Sequence, residues 1–166
     1  MQDPQETCWT VIAQAANGHG PARSRFGQTY LPGVRGFLET RWRGSPLSAE
    51  IDDAVQEVFV ECYRVEGPLQ RVDPERDDFR GYLMGITRNV ARRFEDRAQK
   101  RPKNLAGHTV LEGIEGRESG AEERFDREWA KALMREAVVR METRAAAAGA
   151  RARMRVDLLR LRFGEG

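Results

Sequence analysis

The spacing of apolar residues constrains this chain more than any other feature, because it recurs at three- and four-residue intervals in nearly every ordered stretch. One apolar stripe covers about residues 49–64 and a second covers about residues 79–100. Their members are Ile51, Ala54, Val55, Val58, Phe59, Cys62 and Tyr63 in the first, and Phe79, Tyr82, Leu83, Ile86, Val90 and Phe94 in the second. No segment alternates apolar and polar residues as a half-buried strand does. The sequence predicts an all-α fold, with a compact helical bundle, a linker and a C-terminal helical segment.

Residues with known end preferences delimit these two helices. Ser48 is a candidate N-cap for the first helix, and Asp77 or Asp78 is placed to cap the second. The second helix is expected to stop before Pro102, since the residue ahead of a proline disfavours helical geometry.

Two further helices are predicted upstream. One covers about residues 9–16 and ends at Asn17-Gly18, where a left-handed residue can terminate it. The other covers about residues 26–41 and contains Pro32, which predicts a kink.

Glycine and proline positions divide the chain into segments. The stretch from Glu66 to Asp78 holds Gly67, Pro68 and Pro74 and is predicted to be a loop. A glycine- and glutamate-rich stretch follows the second helix, which predicts a flexible linker. We therefore expect a helical domain at residues 1–101, a linker at 102–124 and an incomplete helical segment at 125–166, broken by a glycine in an alanine-rich stretch.

Charge is distributed unevenly although the whole chain carries only +2. Residues 49–78 contain ten acids and three arginines, a balance of −7, whereas residues 81–103 contain seven basic residues and two acids, a balance of +5. On a helix, Arg88, Asn89 and Arg92 should project away from the second apolar stripe. The two helices suit different partners, a protein for the acidic one and phosphates for the basic one, unless both faces are merely solvated.

Several classes of function are disfavoured. The two cysteines and two histidines share no metal-ligand spacing, and neither a glycine-rich phosphate loop nor a nucleophile with its base is present. We expect no enzyme, no cofactor and no metal site. No apolar run approaches the roughly 20 residues that a membrane span needs, so a soluble cytoplasmic protein is expected.

Two strings of residues resemble a known family. Residues 52–60 read DDAVQEVFV, and residues 79–89 read FRGYLMGITRN with a basic tail to residue 101. In this order, with a loop between them, they resemble region 2 of bacterial RNA polymerase sigma factors, above all the extracytoplasmic-function group. The resemblance covers about residues 8–101. A shorter string, FDREW at residues 125–129, is similar to the lead-in to region 4 of such factors.

The resemblance implies two interfaces. The acidic helix would dock on the clamp-helix coiled coil of the polymerase β′ subunit. Its implied contacts are Asp53, Gln56, Glu57, Phe59 and Tyr63. The basic helix and the loop before it would capture the −10 promoter element and flip a base of the non-template strand. The implied DNA-binding residues are Leu69, Arg80, Arg88, Asn89, Arg92, Arg93, Arg97, Lys100 and Arg101. An anti-sigma factor is a possible further partner.

The chain departs from the family pattern at three places. Leu69 stands where an aromatic residue is frequent, and Arg93 stands where an acid is frequent. Region 4 normally ends in a helix-turn-helix that reads the −35 element, but three residues follow Phe163. This predicts a truncation, a damaged gene product or a factor without its own −35 reader. The alternative function is a helical interaction module or truncated sigma-like regulator that binds polymerase or another protein without promoter activity.

Overall fold

The computed structural model describes residues 4–73, 78–100 and 114–163, and every regular element within these ranges is a helix. The all-α prediction is confirmed. The α-helices are α1 (Pro4–Ala16), α2 (Gly20–Arg41), α3 (Ile51–Tyr63), α4 (Pro68–Arg71), α5 (Phe79–Lys100), α6 (Glu118–Ala148) and α7 (Ala150–Phe163), with 3-10 helices at Pro46–Glu50 and Glu115–Arg117. The chain forms two compact units, of which the first ends at Trp129 and the second begins at Ala130.

The ends of the two central helices follow local rules, with one exception. α5 has the predicted extent, and the Asp78 carboxylate accepts hydrogen bonds from the backbone N–H groups of Arg80 (3.1 Å) and Gly81 (3.2 Å). Asp77 lies outside the described residues. The expectation that Ser48 caps α3 is wrong, because a 3-10 turn precedes this helix and the Ser48 hydroxyl donates to the Ser45 carbonyl at 2.8 Å.

The upstream helices also follow the sequence signals. α1 ends just before Gly18, whose φ of +86° is the left-handed geometry that favours glycine. α2 begins at Gly20, earlier than predicted, because the Nδ1 atom of His19 accepts a hydrogen bond from the Ala22 N–H at 3.3 Å and caps the helix. Pro32 lies inside α2.

An aromatic cluster forms the centre of the first unit. The Phe26 ring is fully buried, and its centroid lies 4.7 Å from that of Tyr30, 5.9 Å from Phe59, 5.7 Å from Tyr63 and 5.8 Å from Phe79. These rings come from α2, α3 and α5. The cluster therefore fixes which faces of α3 and α5 point inward, and so which faces remain for partners.

A buried ion pair joins α2 to α5. The Arg41 guanidinium donates to the two carboxylate oxygens of Glu95 at 2.6 and 3.0 Å, and the indole N–H of Trp42 donates to the same carboxylate at 2.9 Å. The Arg41 side chain is only 6% exposed and that of Glu95 11%. Because three donors satisfy one carboxylate, this buried acid is compatible with the core.

The first part of α6 belongs to the first unit, and this changes the predicted domain boundaries. Ile114, Ala121 and Phe125 are buried in the same core as α1–α5. A Cβ added at Gly33 of α2 would lie 3.1 Å from the Phe125 ring, so the missing side chain lets α6 approach α2 closely. The structure therefore differs from the predicted linker at 102–124 from residue 114 onward, while residues 102–113 lie outside the described ranges.

The second unit consists of the rest of α6 and α7. Gly149, with φ of +96°, separates these two helices at the break that the sequence predicts. Leu158, Leu159 and Leu161 of α7 are 56%, 45% and 71% exposed.

Candidate nucleic-acid and protein interfaces

The outward face of α3 presents two of the predicted polymerase contacts. Asp53 and Gln56 are exposed, and Val60, one turn beyond Gln56, is 60% exposed. The sequence reasoning overlooked Val60, although an apolar residue outside the buried stripe was a visible signal. Its position gives the acidic face one apolar side chain that a protein partner could bury.

The other three predicted polymerase contacts have partners inside the protein. Phe59 and Tyr63 are half-buried in the aromatic cluster, and the Tyr63 hydroxyl donates to the Arg23 carbonyl at 3.0 Å. Burial, together with the neighbouring Cys62, raises the pKa of Tyr63 to about 12, against the opposing effect of Arg23. The tyrosine is therefore protonated throughout the physiological range.

Glu57 connects the two predicted interfaces. One of its carboxylate oxygens lies 3.1 Å from the Arg97 guanidinium and 3.4 Å from that of Arg93. Arg93 also lies 3.7 Å from Glu61. These pairs between α3 and α5 are partly exposed, so each contributes less than about 1 kcal/mol. A substitution of Glu57 would consequently remove its contacts with both Arg93 and Arg97 of α5.

The outward basic face of α5 consists of Asn89 and Arg92. Both side chains are exposed, as the helical spacing predicts. Arg93, Arg97 and Lys100 are also exposed on this helix, whereas Arg101 lies outside the described residues. An exposed amide beside guanidinium groups can contact a base edge and the adjoining phosphates.

Arg88 is separated from this face by the packing of α6. Its Nε atom lies 3.0 Å from a Glu118 carboxylate oxygen, and its Nη2 atom donates to Glu122. The expectation that Arg88 projects outward with Asn89 and Arg92 is therefore wrong. The buried arc of α5 is wider than its apolar stripe, since α5 also buries Met84, Ala91 and Glu95, and Arg88 lies at the edge of this arc.

Arg80, two turns before Arg88 on α5, is also paired with an acid of α6. Its guanidinium makes a two-pronged hydrogen bond with Asp126 of α6, in which Nη2 lies 2.5 Å from Oδ2. The Asp126 hydrogen bond raises the pKa of Arg80 above its ordinary value, although burial acts in the opposite direction. The arginine is thus held as a cation facing a carboxylate.

Leu69 is not at the surface. It lies in α4, a short helix inside the stretch that we predicted to be a loop, and it is only 3% exposed. The Tyr82 hydroxyl donates to the Pro68 carbonyl at 2.9 Å and so holds α4 against α5. Residues 74–77 of the predicted loop lie outside the described ranges. Within the described part, Val65 is the exposed apolar side chain near the loop, at 82%.

Residues 4–73, 78–100 and 114–163 contain no group of three histidine, cysteine or acidic residues placed to hold a metal ion. In the same ranges no helix has the length and apolar character required to cross a bilayer. Cys62 is buried, and desolvation, with Glu61 nearby, raises the pKa of its thiol to about 12, which disfavours the reactive thiolate.

Comparison with known families gives one match. Residues 28–101 match the family model described as Sigma-70 region 2. The match begins in α2, contains α3 and α5 with both candidate interfaces, and covers less than half of the chain. It supports the interpretation of this stretch as a sigma-70 region 2. No curated protein and no solved structure gives a significant match to the chain.

Proposed function

We propose that this protein is a sigma-type transcription initiation factor that binds core RNA polymerase through α3 and the −10 promoter element through α5. The observation that carries the proposal is the Sigma-70 region 2 match over residues 28–101, within which an acidic helix and a basic helix each keep an open face. Neither role requires catalysis or a cofactor.

The proposed promoter step is the capture of an unstacked base. Extruding a base costs a few kcal/mol, which stacking and phosphate contacts can offset. Asn89 has the donor and acceptor for a base edge, and Arg92 has the charge for a phosphate. Leu69 is buried in the free protein. We therefore do not assign it a direct contact with the extruded base.

The polymerase-binding role is tested by a double substitution, Asp53→Lys with Gln56→Ala. Both residues are exposed, so the variant should keep its fold but place a lysine against the partner. Binding to core polymerase should weaken at least about tenfold, or about 1.4 kcal/mol, by surface plasmon resonance. Glu57 is left unchanged because it also pairs with Arg93 and Arg97.

The matched control for this experiment is Glu39→Lys, which changes an exposed acid on α2 outside the proposed interface. It alters net charge in the same direction and should bind as the wild type does. Unchanged binding of the double variant, or equal weakening of the control, would rule out α3 as the polymerase contact.

The promoter-binding role is tested on α5. Arg92→Ala should weaken binding to all single-stranded oligonucleotides and reduce the slope of log K against log salt by about 0.7. Asn89→Ala should instead cost about 1–3 kcal/mol for preferred sequences and little for others. Fluorescence anisotropy with oligonucleotides selected from a randomised pool measures both effects.

Gln99→Ala serves as the control on the same helix, since Gln99 is exposed and uncharged. A uniform loss for every sequence on Asn89→Ala would mean that this residue contacts only the backbone. If neither α5 substitution affects binding, α5 is not the DNA contact.

A second candidate function is an interaction module that binds polymerase or another protein without promoter activity. It is favoured by the ion pairs of Arg80 and Arg88, which occupy two cations that DNA would need. The two functions differ in salt dependence. Binding to core polymerase with no salt-sensitive DNA binding would favour the second.

The remaining details are proposals that follow from the sequence resemblance. They are membership of the extracytoplasmic-function group, a region 4 lead-in at residues 125–129, an anti-sigma factor as a partner, and a cytoplasmic location. The −10 element of the non-template strand and the β′ clamp helices are the specific partners within this proposal.

A further inference from the structure

Three acids on the first part of α6 form a stripe that faces the arginines of α5. Glu118, Glu122 and Asp126 are spaced four residues apart and so lie on one side of a helix. Glu118 and Glu122 contact Arg88, and Asp126 contacts Arg80. We call these three residues the acidic stripe, and Arg80 with Arg88 the covered arginines.

The acidic stripe is held in place by apolar packing rather than by its charges alone. Phe125 is fully buried beside Gly33, and the Trp129 ring stacks on Tyr30 with centroids 6.0 Å apart. Ala121, between two members of the stripe, is also fully buried. The carboxylates therefore stay beside the covered arginines without having to order a flexible segment.

We infer that the acidic stripe is an autoinhibitory contact that competes with nucleic-acid phosphates for the covered arginines in the free protein. The inference rests on the proposed function, because the same arginines are candidate DNA contacts. It adds a regulation of that site, which neither the family match nor the helical spacing indicates.

The physical basis of the competition is that carboxylates and phosphate oxygens use the same guanidinium donors. A two-pronged pair such as Arg80 with Asp126 has the geometry in which arginine also binds phosphate. Asn89 and Arg92 remain exposed, so the free protein keeps a weak binding face while two cations are withheld. Full binding requires the stripe to be displaced from the covered arginines.

The test neutralises the stripe without changing its shape. We choose Glu122→Gln with Asp126→Asn and leave Glu118 unchanged, because Glu118 also lies 4.0 Å from the buried Arg41. Single-stranded oligonucleotides of randomised sequence should bind about three- to tenfold tighter, the effect of releasing partly exposed ion pairs. The slope of log K against log salt should steepen by up to about 1.4, since two more phosphates can be neutralised.

The matched control removes two exposed acids elsewhere, Glu123→Gln and Asp157→Asn, and so produces the same net charge. It should bind DNA much less tightly than the stripe variant. The gain should also disappear when Arg80→Ala and Arg88→Ala are added to the stripe variant. Equal gains in the stripe variant and the control would overturn the inference, because net charge alone would then explain them.

A second variant tests the same contact without removing any acid of the stripe. A Cβ at Gly36 would lie 3.2 Å from the Glu128 Cγ, so Gly36→Cys with Glu128→Cys, in a Cys8→Ser background, should allow a disulfide between α2 and α6. The oxidised form should bind DNA more weakly than the same protein after reduction. Equal binding of both forms, with no gain in the stripe variant, would refute the autoinhibitory contact.

Chromatography on heparin distinguishes a failure of the autoinhibitory contact from a failure of the proposed function. As a polyanion probe, a heparin column should retain the stripe variant to higher salt than the charge control, whether or not the protein binds promoter DNA. Identical elution would reject the autoinhibitory contact even if the tests on Asp53 and Asn89 succeed. Later elution of the stripe variant with no DNA binding by any variant would retain the masking and reject promoter recognition.

Discussion

Removing the buried carboxylate of Glu95 should destabilise the first unit strongly. In Glu95→Ala the Arg41 guanidinium and the Trp42 indole lose a shared acceptor whose oxygens lie 2.6–3.0 Å from their nitrogens. Because the Arg41 side chain is only 6% exposed, water cannot replace that acceptor fully. The variant therefore leaves a cation in the core without its main counter-charge.

The magnitude follows from this burial. Breaking a buried ion pair by removing one partner costs about 3–5 kcal/mol, most of it the penalty for the remaining charge. An exposed pair such as Arg97 with Glu57 costs less than about 1 kcal/mol to remove. Comparing the loss of stability in Glu95→Ala with that in Arg97→Ala therefore tests whether the cost depends on burial of the ion pair.

Urea denaturation followed by far-ultraviolet circular dichroism measures the effect. With a slope of about 2 kcal/mol per molar urea, the midpoint of Glu95→Ala should fall by about 1.5–2.5 M. The midpoint of Arg97→Ala should stay within about 0.5 M of the wild type. Replacing both partners by apolar residues, Arg41→Met with Glu95→Leu, should recover most of the loss.

Two results would refute the reasoning about this pair. A cost of less than about 1 kcal/mol for Glu95→Ala would mean that solvent reaches Arg41. A double variant that is as unstable as the sum of its single variants would mean that the cost comes from lost packing rather than from an uncompensated charge.

Two further predictions concern pH and backbone packing. Since the pKa of Cys62 is raised from 9.0 to about 12, the unfolded thiol ionises first, so its contribution to stability is complete below pH 9.0 and is lost as the pH rises toward about 12. Urea midpoints should fall over this range and fall less in Cys62→Ala, and a parallel fall in both proteins would contradict the assignment. Gly33→Ala should cost about 1–3 kcal/mol, because the new Cβ would lie 3.1 Å from the Phe125 ring and 3.2 Å from its carbonyl oxygen. Gly27→Ala on the same helix, with open space around it, should not be destabilised, and equal losses in the two variants would show that helix α2 itself is the cause.

The sequence by itself determined the helical class and the extents of α3 and α5, but it predicted neither α4 nor the first turns of α2 and α6. Apolar periodicity, the Asp78 cap and the glycines at 18 and 149 are signals carried by a few neighbouring residues, and the structure follows each of them. Helical spacing, which is also a local signal, predicted that Asn89 and Arg92 would be exposed, because the direction of each side chain depends on its position in the helical turn.

The tertiary structure alone decided which charged side chains remain available to contact a partner. Arg88 differs from its neighbour Asn89 because α6 packs beside α5 and brings Glu118 and Glu122 to it from a distant part of the chain. Contacts between helices likewise bury Leu69 and pair Glu57 with Arg97. A helical pattern shows the direction of a side chain relative to its own axis, but not which other helix occupies that direction. The candidate interfaces therefore depend on long-range packing that no local spacing encodes.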